Sequence, residues 1–207
     1  GIADLHGNMD ILASLREPEH LCLDCVDDPE LIGRAVMHAA AGYVECFSRL
    51  YQQVAAAGFG SSTWTALYHP GPAYIPSCDF WCMLSEDMGR SIVLPAIKRE
   101  MQPLERSIFH LDGPQALQHL DTLLAMQELD AVQWVYGAGG GPAMKWLDVY
   151  KRCREAGKAI QIIGATPDEA RQFVRELGCE GVWIDVAHQF GSLDEAAAFL
   201  NELKGLC

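Results

Sequence analysis

Apolar and polar positions alternate along this chain in two rhythms that take turns. Short runs rich in β-branched and aromatic residues, ending in Asp, His or Gly, are each followed by a longer stretch with helical spacing. The pattern predicts strands over 72–78, 106–111, 130–136, 158–163 and 181–186, with a sixth, weaker one ending at Asp4-Leu-His6. Helices are predicted over 8–15, 29–57, 85–102, 113–126, 142–156, 167–177 and 192–204. Helix starts carry their own chemistry. Thr166-Pro167-Asp168-Glu169 and Ser192-Leu-Asp-Glu195 read as capping boxes, and Asp28 and Ser85 read as N-caps followed by acids. Gly157 and Gly178 stand where helix C-termini call for positive φ.

Strand–helix alternation leaves a doubly wound sheet or a (β/α)₈ barrel. No GxGxxG opens a helix after the first strand, and polar residues crowd the C-terminal ends of several strands: Asp79, His110 with Asp112, Tyr136, and Asp185 with His188. A barrel builds its active site in that way. The expected fold is therefore α/β, a TIM (β/α)₈ barrel forming one domain over 1–207. Six strands are fewer than eight, and such barrels usually take about 250 residues. Together with a start at Gly1, this leads us to expect an incomplete barrel whose first strands lie outside the chain. A barrel cut open exposes strand edges, so the piece alone is expected to aggregate or to form a homodimer.

Composition narrows the function classes. Half of the residues are hydrophobic, enough for a full core. The net charge of −13 argues against nucleic acid or an anionic bilayer as partner. No apolar run of about 18 residues is present, so no membrane span is expected. The eight cysteines do not space out as a disulfide framework. Cys46, Cys153 and Cys179 read as small buried hydrophobes, Cys22-Leu-Asp-Cys25 is an isolated CxxC, and the expectation is a reduced, cytoplasmic protein.

Candidate chemistry concentrates in His110-Leu-Asp112-Gly113. Residues two apart on a strand point the same way, so an imidazole and a carboxylate face the barrel mouth together. They can share a metal ion or act as an acid–base pair; alternatively, Asp112 caps the next helix and holds a strand-end histidine. Asp185-Val-Ala-His188 either closes a metal site or forms a surface turn. Asp79 sits at a strand end among aromatics, as a substrate contact or a turn residue. His69, in the loop Tyr68-His-Pro-Gly-Pro72, is within reach of the mouth. Gly137-Ala-Gly-Gly-Gly141 lacks the Lys-Ser/Thr of a P-loop and reads as a lid or tight turn.

Four segments together resemble the uroporphyrinogen decarboxylase superfamily, in its corrinoid-dependent methyltransferase-like branch. They are Ser107-Ile-Phe-His-Leu-Asp-Gly-Pro-Gln-Ala-Leu-Gln-His-Leu120, Leu129-Asp-Ala-Val-Gln-Trp-Val-Tyr-Gly137, Cys78-Asp-Phe-Trp-Cys-Met-Leu-Ser85 with Val93-Leu-Pro95, and His6-Gly-Asn-Met-Asp-Ile-Leu-Ala13. The resemblance runs over nearly the whole chain and implies the C-terminal part of a TIM barrel. It implies a methyl group moved between a corrinoid protein and a thiol or methylated substrate. In that branch zinc is held by a His-x-Cys-Gly and a late Cys. Here His110, Asp112 and Gly113 fill the first motif, with a carboxylate for the thiolate, and Asp185 and His188 stand where the late Cys is expected. The resemblance thus implies a zinc site at His110, Asp112 and Asp185, with a corrinoid carried by a partner protein. The alternative it implies is a cofactor-free decarboxylase of a tetrapyrrole, with Asp79 and His188 as catalytic residues. A second alternative is a non-catalytic corrinoid- or porphyrin-binding relative.

Overall fold

A computed structural model describes residues 2–65 and 67–207. The chain divides into two compact units, one ending at Asp130 and the other beginning at Ala131.

The first unit opens with three helices, α1 (Asn8–Arg16), α2 (Pro18–Asp27) and α3 (Pro29–Ala56). The sequence pattern anticipated α1 and α3 but not α2. Glu17 precedes a proline, leaves the helical region (φ 70°) and breaks the path; Pro18 then starts a second helix. The side chain of Asp28 caps α3 by accepting from Leu31 N at 2.9 Å. Along α3, Ile32, Val36, Ala40, Tyr43 and Phe47 are buried at helical spacing. Tyr43 and Phe47 meet the ring of Tyr74 edge-on at 6.0 and 5.7 Å.

An antiparallel pair, β1 (Ser61–Ser62) and β2 (Tyr68–His69), comes next and had no counterpart in the expected elements. The strand expected over 72–78 shortens to β3 (Ala73–Tyr74), with an isolated bridge at Ser77. Pro72 and Pro76 have no N–H for a ladder, yet both carbonyls still accept, from Glu105 N (2.7 Å) and His110 N (2.9 Å). The weak strand ending at His6 does not form. Ile2 N donates to Ser62 O, and Leu5 N donates to the hydroxyl of Tyr74, so a side chain takes the place of a neighbouring strand.

A 3₁₀ turn at Asp79–Met83 leads into a helix in three parts: α4 (Glu86–Met88), a π segment at Gly89–Val93, and α5 (Leu94–Met101). The strand β4 (Arg106–Asp112) pairs in parallel with β3. Its alternation is strict. Ser107, Phe109 and Leu111 are buried, while Ile108, His110 and Asp112 are half-buried on the other face. Phe109 packs against Trp81 at 5.8 Å, and Phe109→Ala is expected to cost about 3–5 kcal/mol. The helix expected at 113–126 is a 3₁₀ segment (Pro114–His119) followed by α6 (Leu120–Leu124).

In the second unit β5 (Ala131–Val135), β6 (Ala159–Ala165) and β7 (Val182–Val186) form consecutive parallel pairs. They alternate with α7 (Leu147–Glu155), α8 (Pro167–Leu177) and α9 (Leu193–Leu206). Thr166 forms the expected capping box with Glu169. Ser192 also caps, but Glu195 accepts from Gly191 N rather than from Ser192 N, so its box is incomplete. Both units are thus mixed α/β with parallel strands, the material of an α/β barrel. No helix among the described residues is long and apolar enough to cross a membrane.

Two of the three cysteines expected to be small buried hydrophobes are not. Cys179 is bonded to Cys207, which ties the segment after α8 to the end of α9. Cys46 is exposed, on the outer face of α3, and only Cys153 is buried as expected. Cys22 and Cys25 lie on one helix, and burial pushes the Cys25 thiol up to about 11, which keeps it protonated.

Candidate metal centre

The centre follows from one register. Ala73 pairs with Arg106, Tyr74 with Ser107 and Ser77 with His110, all at the same sequence offset. Continuing that offset sets Asp79 beside Asp112 at the C-terminal end of the pair. One face therefore reads, rung by rung, Ala73/Arg106, Ile75/Ile108 and Ser77/His110, and just past the last rung Asp79, at the start of the 3₁₀ turn, comes near Asp112. Each of Asp79, His110 and Asp112 offers a ligand atom, and the three atoms lie within 4.8 Å of one another. His110 and Asp112 are half-buried and Asp79 is exposed. Asp112 is free of the capping duty that the sequence left open, because the following 3₁₀ segment starts at Gly113 without a side-chain cap. The indole of Trp64 stands edge-on to the His110 ring, centroids 5.3 Å apart.

The position of Asp79 is fixed from below by residues that sequence reasoning passed over. The buried carboxylate of Asp10 accepts from Asp79 N (3.1 Å) and Phe80 N (2.9 Å), clamping the start of the 3₁₀ turn. Burial raises the Asp10 carboxyl, and the two amides oppose that rise. Next to it Asn8 donates from Nδ2 to Ser77 O and to Glu100 Oε2, both at 2.8 Å. Glu100 is wholly buried, and desolvation carries its pKa up to about 8. Its Oε1 meets no side-chain donor among the described residues. A Cβ on Gly7 would sit 2.0 Å from that oxygen, so only glycine fits there. The sequence signal for this layer is the polar run His6-Gly-Asn-Met-Asp10, where a weak strand is expected to end and a helix to begin.

Burial, followed by the surrounding carboxylates of Asp79, Asp112 and Asp10, raises the Cys82 thiol. Cys82 lies one 3₁₀ turn after Asp79, on the same side of that helix. The other sequence candidates have surroundings of their own. His69 accompanies Glu105 at 3.2 Å. Asp185 is exposed on β7 in the second unit, and His188 beyond it is exposed and edge-on to Phe190 at 4.7 Å. Gly137–Gly141 closes as a turn, Gly140 N donating to Gly137 O.

Two carboxylates and an imidazole suit zinc, manganese or iron(II) as a cation bound through oxygen and nitrogen. Three protein ligands leave at least one position for a substrate, the arrangement of catalytic rather than structural zinc. No protein-family model matches the chain, and no significant similarity to a curated protein or a solved structure is found.

Proposed function

We propose that the chain is a metal-dependent enzyme of methyl transfer, related to the methyltransferase-like branch of the uroporphyrinogen decarboxylase superfamily that its sequence resembles. In this reading the strands belong to a (β/α)₈ barrel, and zinc is held by Asp79, His110 and Asp112. The observation that carries it is the convergence of those three donors within 4.8 Å at one strand end. The ligand set differs from that implied by the resemblance: Asp79 supplies the third donor, and Asp185 and His188 have no assigned role.

When bound, the cation lowers the pKa of a thiol and makes it a nucleophile at neutral pH. The chain's own residues do the rest. β4 holds His110 and Asp112 on one face, and Asp10 fixes Asp79 opposite them. Trp64 covers one edge of the imidazole against water. The methyl donor in this reading is a corrinoid carried by a partner protein.

A second reading, cofactor-free decarboxylation of a tetrapyrrole carboxylate, is favoured by the exposure of Asp79, which a substrate reaches without a metal. Elemental analysis after equilibrium dialysis separates the two. About one zinc per chain, lost in the His110→Ala/Asp112→Ala variant, supports the first reading, and demethylation of methylcobalamin by a thiol is then the activity to assay. No zinc in either protein overturns it and leaves uroporphyrinogen turnover as the assay.

A further inference from the structure

The face that ends in the three donors does not stay polar along its length. One rung below His110 it turns apolar. Ile75 and Ile108 stand side by side there, and with Leu67 and Tyr68 from the β1–β2 hairpin they border a cavity of about 170 Å³. Its polar lining is sparse: Ser61 and Thr63, with His69 and Arg106 toward the opposite end. Those groups are largely occupied. Ser61 Oγ bonds Gly71 O and Ala73 N, His69 meets Glu105, and Arg106 Nη1 donates to Glu105 O.

From the structure we infer that this cavity, which adjoins the donors without including them, is the binding site for the apolar body of a small substrate whose oxygen donor reaches Asp79, His110 and Asp112. The inference rests on the metal site of the reading above, and names the ligand that fills it beside the thiol. Three observations set the ligand class. A dry apolar cavity of roughly 150 Å³ accepts a molecule the size of benzene, so 170 Å³ matches a single six-membered ring. Ile108 and His110 are two residues apart on one strand face, roughly 6.6 Å, so a ring bearing one short polar arm spans both. The body itself is apolar, to match the walls that Ile75, Ile108 and Leu67 supply. Trp64, which is 48% exposed and edge-on to His110, stands where it would flank that arm.

4-Fluorobenzyl alcohol tests the inference by fluorine NMR titration on the full chain, with 4-fluorotoluene as the probe lacking a donor. Zinc is expected to tighten the alcohol at least tenfold and to leave the toluene unchanged. Ile108→Trp fills the cavity from the strand and Leu67→Trp from the loop; each should weaken both probes at least tenfold while zinc uptake by dialysis persists. The loop variant keeps the test sound where the strand variant fails to fold. Zinc uptake without tightening of the alcohol, or probe binding indifferent to both Trp variants, overturns the inference and spares the metal reading. Absence of zinc uptake overturns both.

Discussion

Glu100 makes the stability of the first unit depend on pH in a direction opposite to that of ordinary paired carboxylates. Its pKa moves from 4.5 to about 8 because the carboxyl is taken wholly out of water, which outweighs the hydrogen bond it accepts from Asn8 Nδ2. Between these values the unfolded chain has lost the Glu100 proton and the folded chain retains it. The folded state then binds more protons, so stability falls as pH rises, by about 1.4 kcal/mol per pH unit. This contribution is full below pH 4.5 and gone above about 8, and over that span it amounts to at most about 5 kcal/mol. Glu100→Gln keeps an oxygen for Asn8 and carries no proton to lose. The gap between variant and parent should therefore widen in the variant's favour by about 2–3 kcal/mol from pH 6 to pH 8. Urea denaturation at pH 6, 7 and 8 reads this as a midpoint difference that grows by about 1 M. A gap that stays constant with pH would refute the reasoning, because it would mean that the folded carboxyl titrates like an exposed one.

Three further outcomes follow from the same layer and from the second unit. Gly7→Ala places a methyl group 2.0 Å from Glu100 Oε1, in a place where that side chain cannot swing out; thermal melting should show a loss of about 1–3 kcal/mol, and an unchanged melt removes the packing argument. Asp10→Asn cannot accept from both Asp79 N and Phe80 N, so zinc affinity by calorimetry should drop about 10–100-fold with the circular dichroism spectrum retained. Equal affinities would show that Asp79 needs no such support. Cys207→Ser opens a loop spanning 28 residues, and the second unit should lose about 3–4 kcal/mol; a melting temperature indifferent to the substitution and to reductant would contradict it.

Much of this was legible in the chain. The alternation in 106–112 announced β4 and the shared face of His110 and Asp112, and Thr166, Asp28 and Ser85 marked helix starts that the structure keeps. Local pattern reaches that far because caps and pleats involve residues within a few positions of one another. Asp79 belongs with His110 and Asp112 through a pairing register set between distant segments, which no window of sequence contains. Asp10 and Glu100 act through contacts about 70 and 90 residues away, so each looks locally like a helix-surface acid. The bond between Cys179 and Cys207 escaped for a similar reason: only the return of α9 brings the two thiols together. Proline explains the rest, shortening the strand at 72–78 and splitting α1 from α2.

The seven residues of β4 carry two texts on alternate letters. One text, Ser107, Phe109 and Leu111, is written to the core and tolerates little editing. The other, Ile108, His110 and Asp112, is written to the open face, and with its partners on the neighbouring segment it sets a cavity wall at one rung and clustered donor atoms at the next. A descendant can therefore change the size of the 75/108 rung without disturbing the donors, or exchange Asp79 or Asp112 without rebuilding the strand pair. Inserting a single residue between Tyr74 and Ser77 would do neither: it would break the register at the Ser77/His110 bridge and turn Ser77 to the other side of the pair.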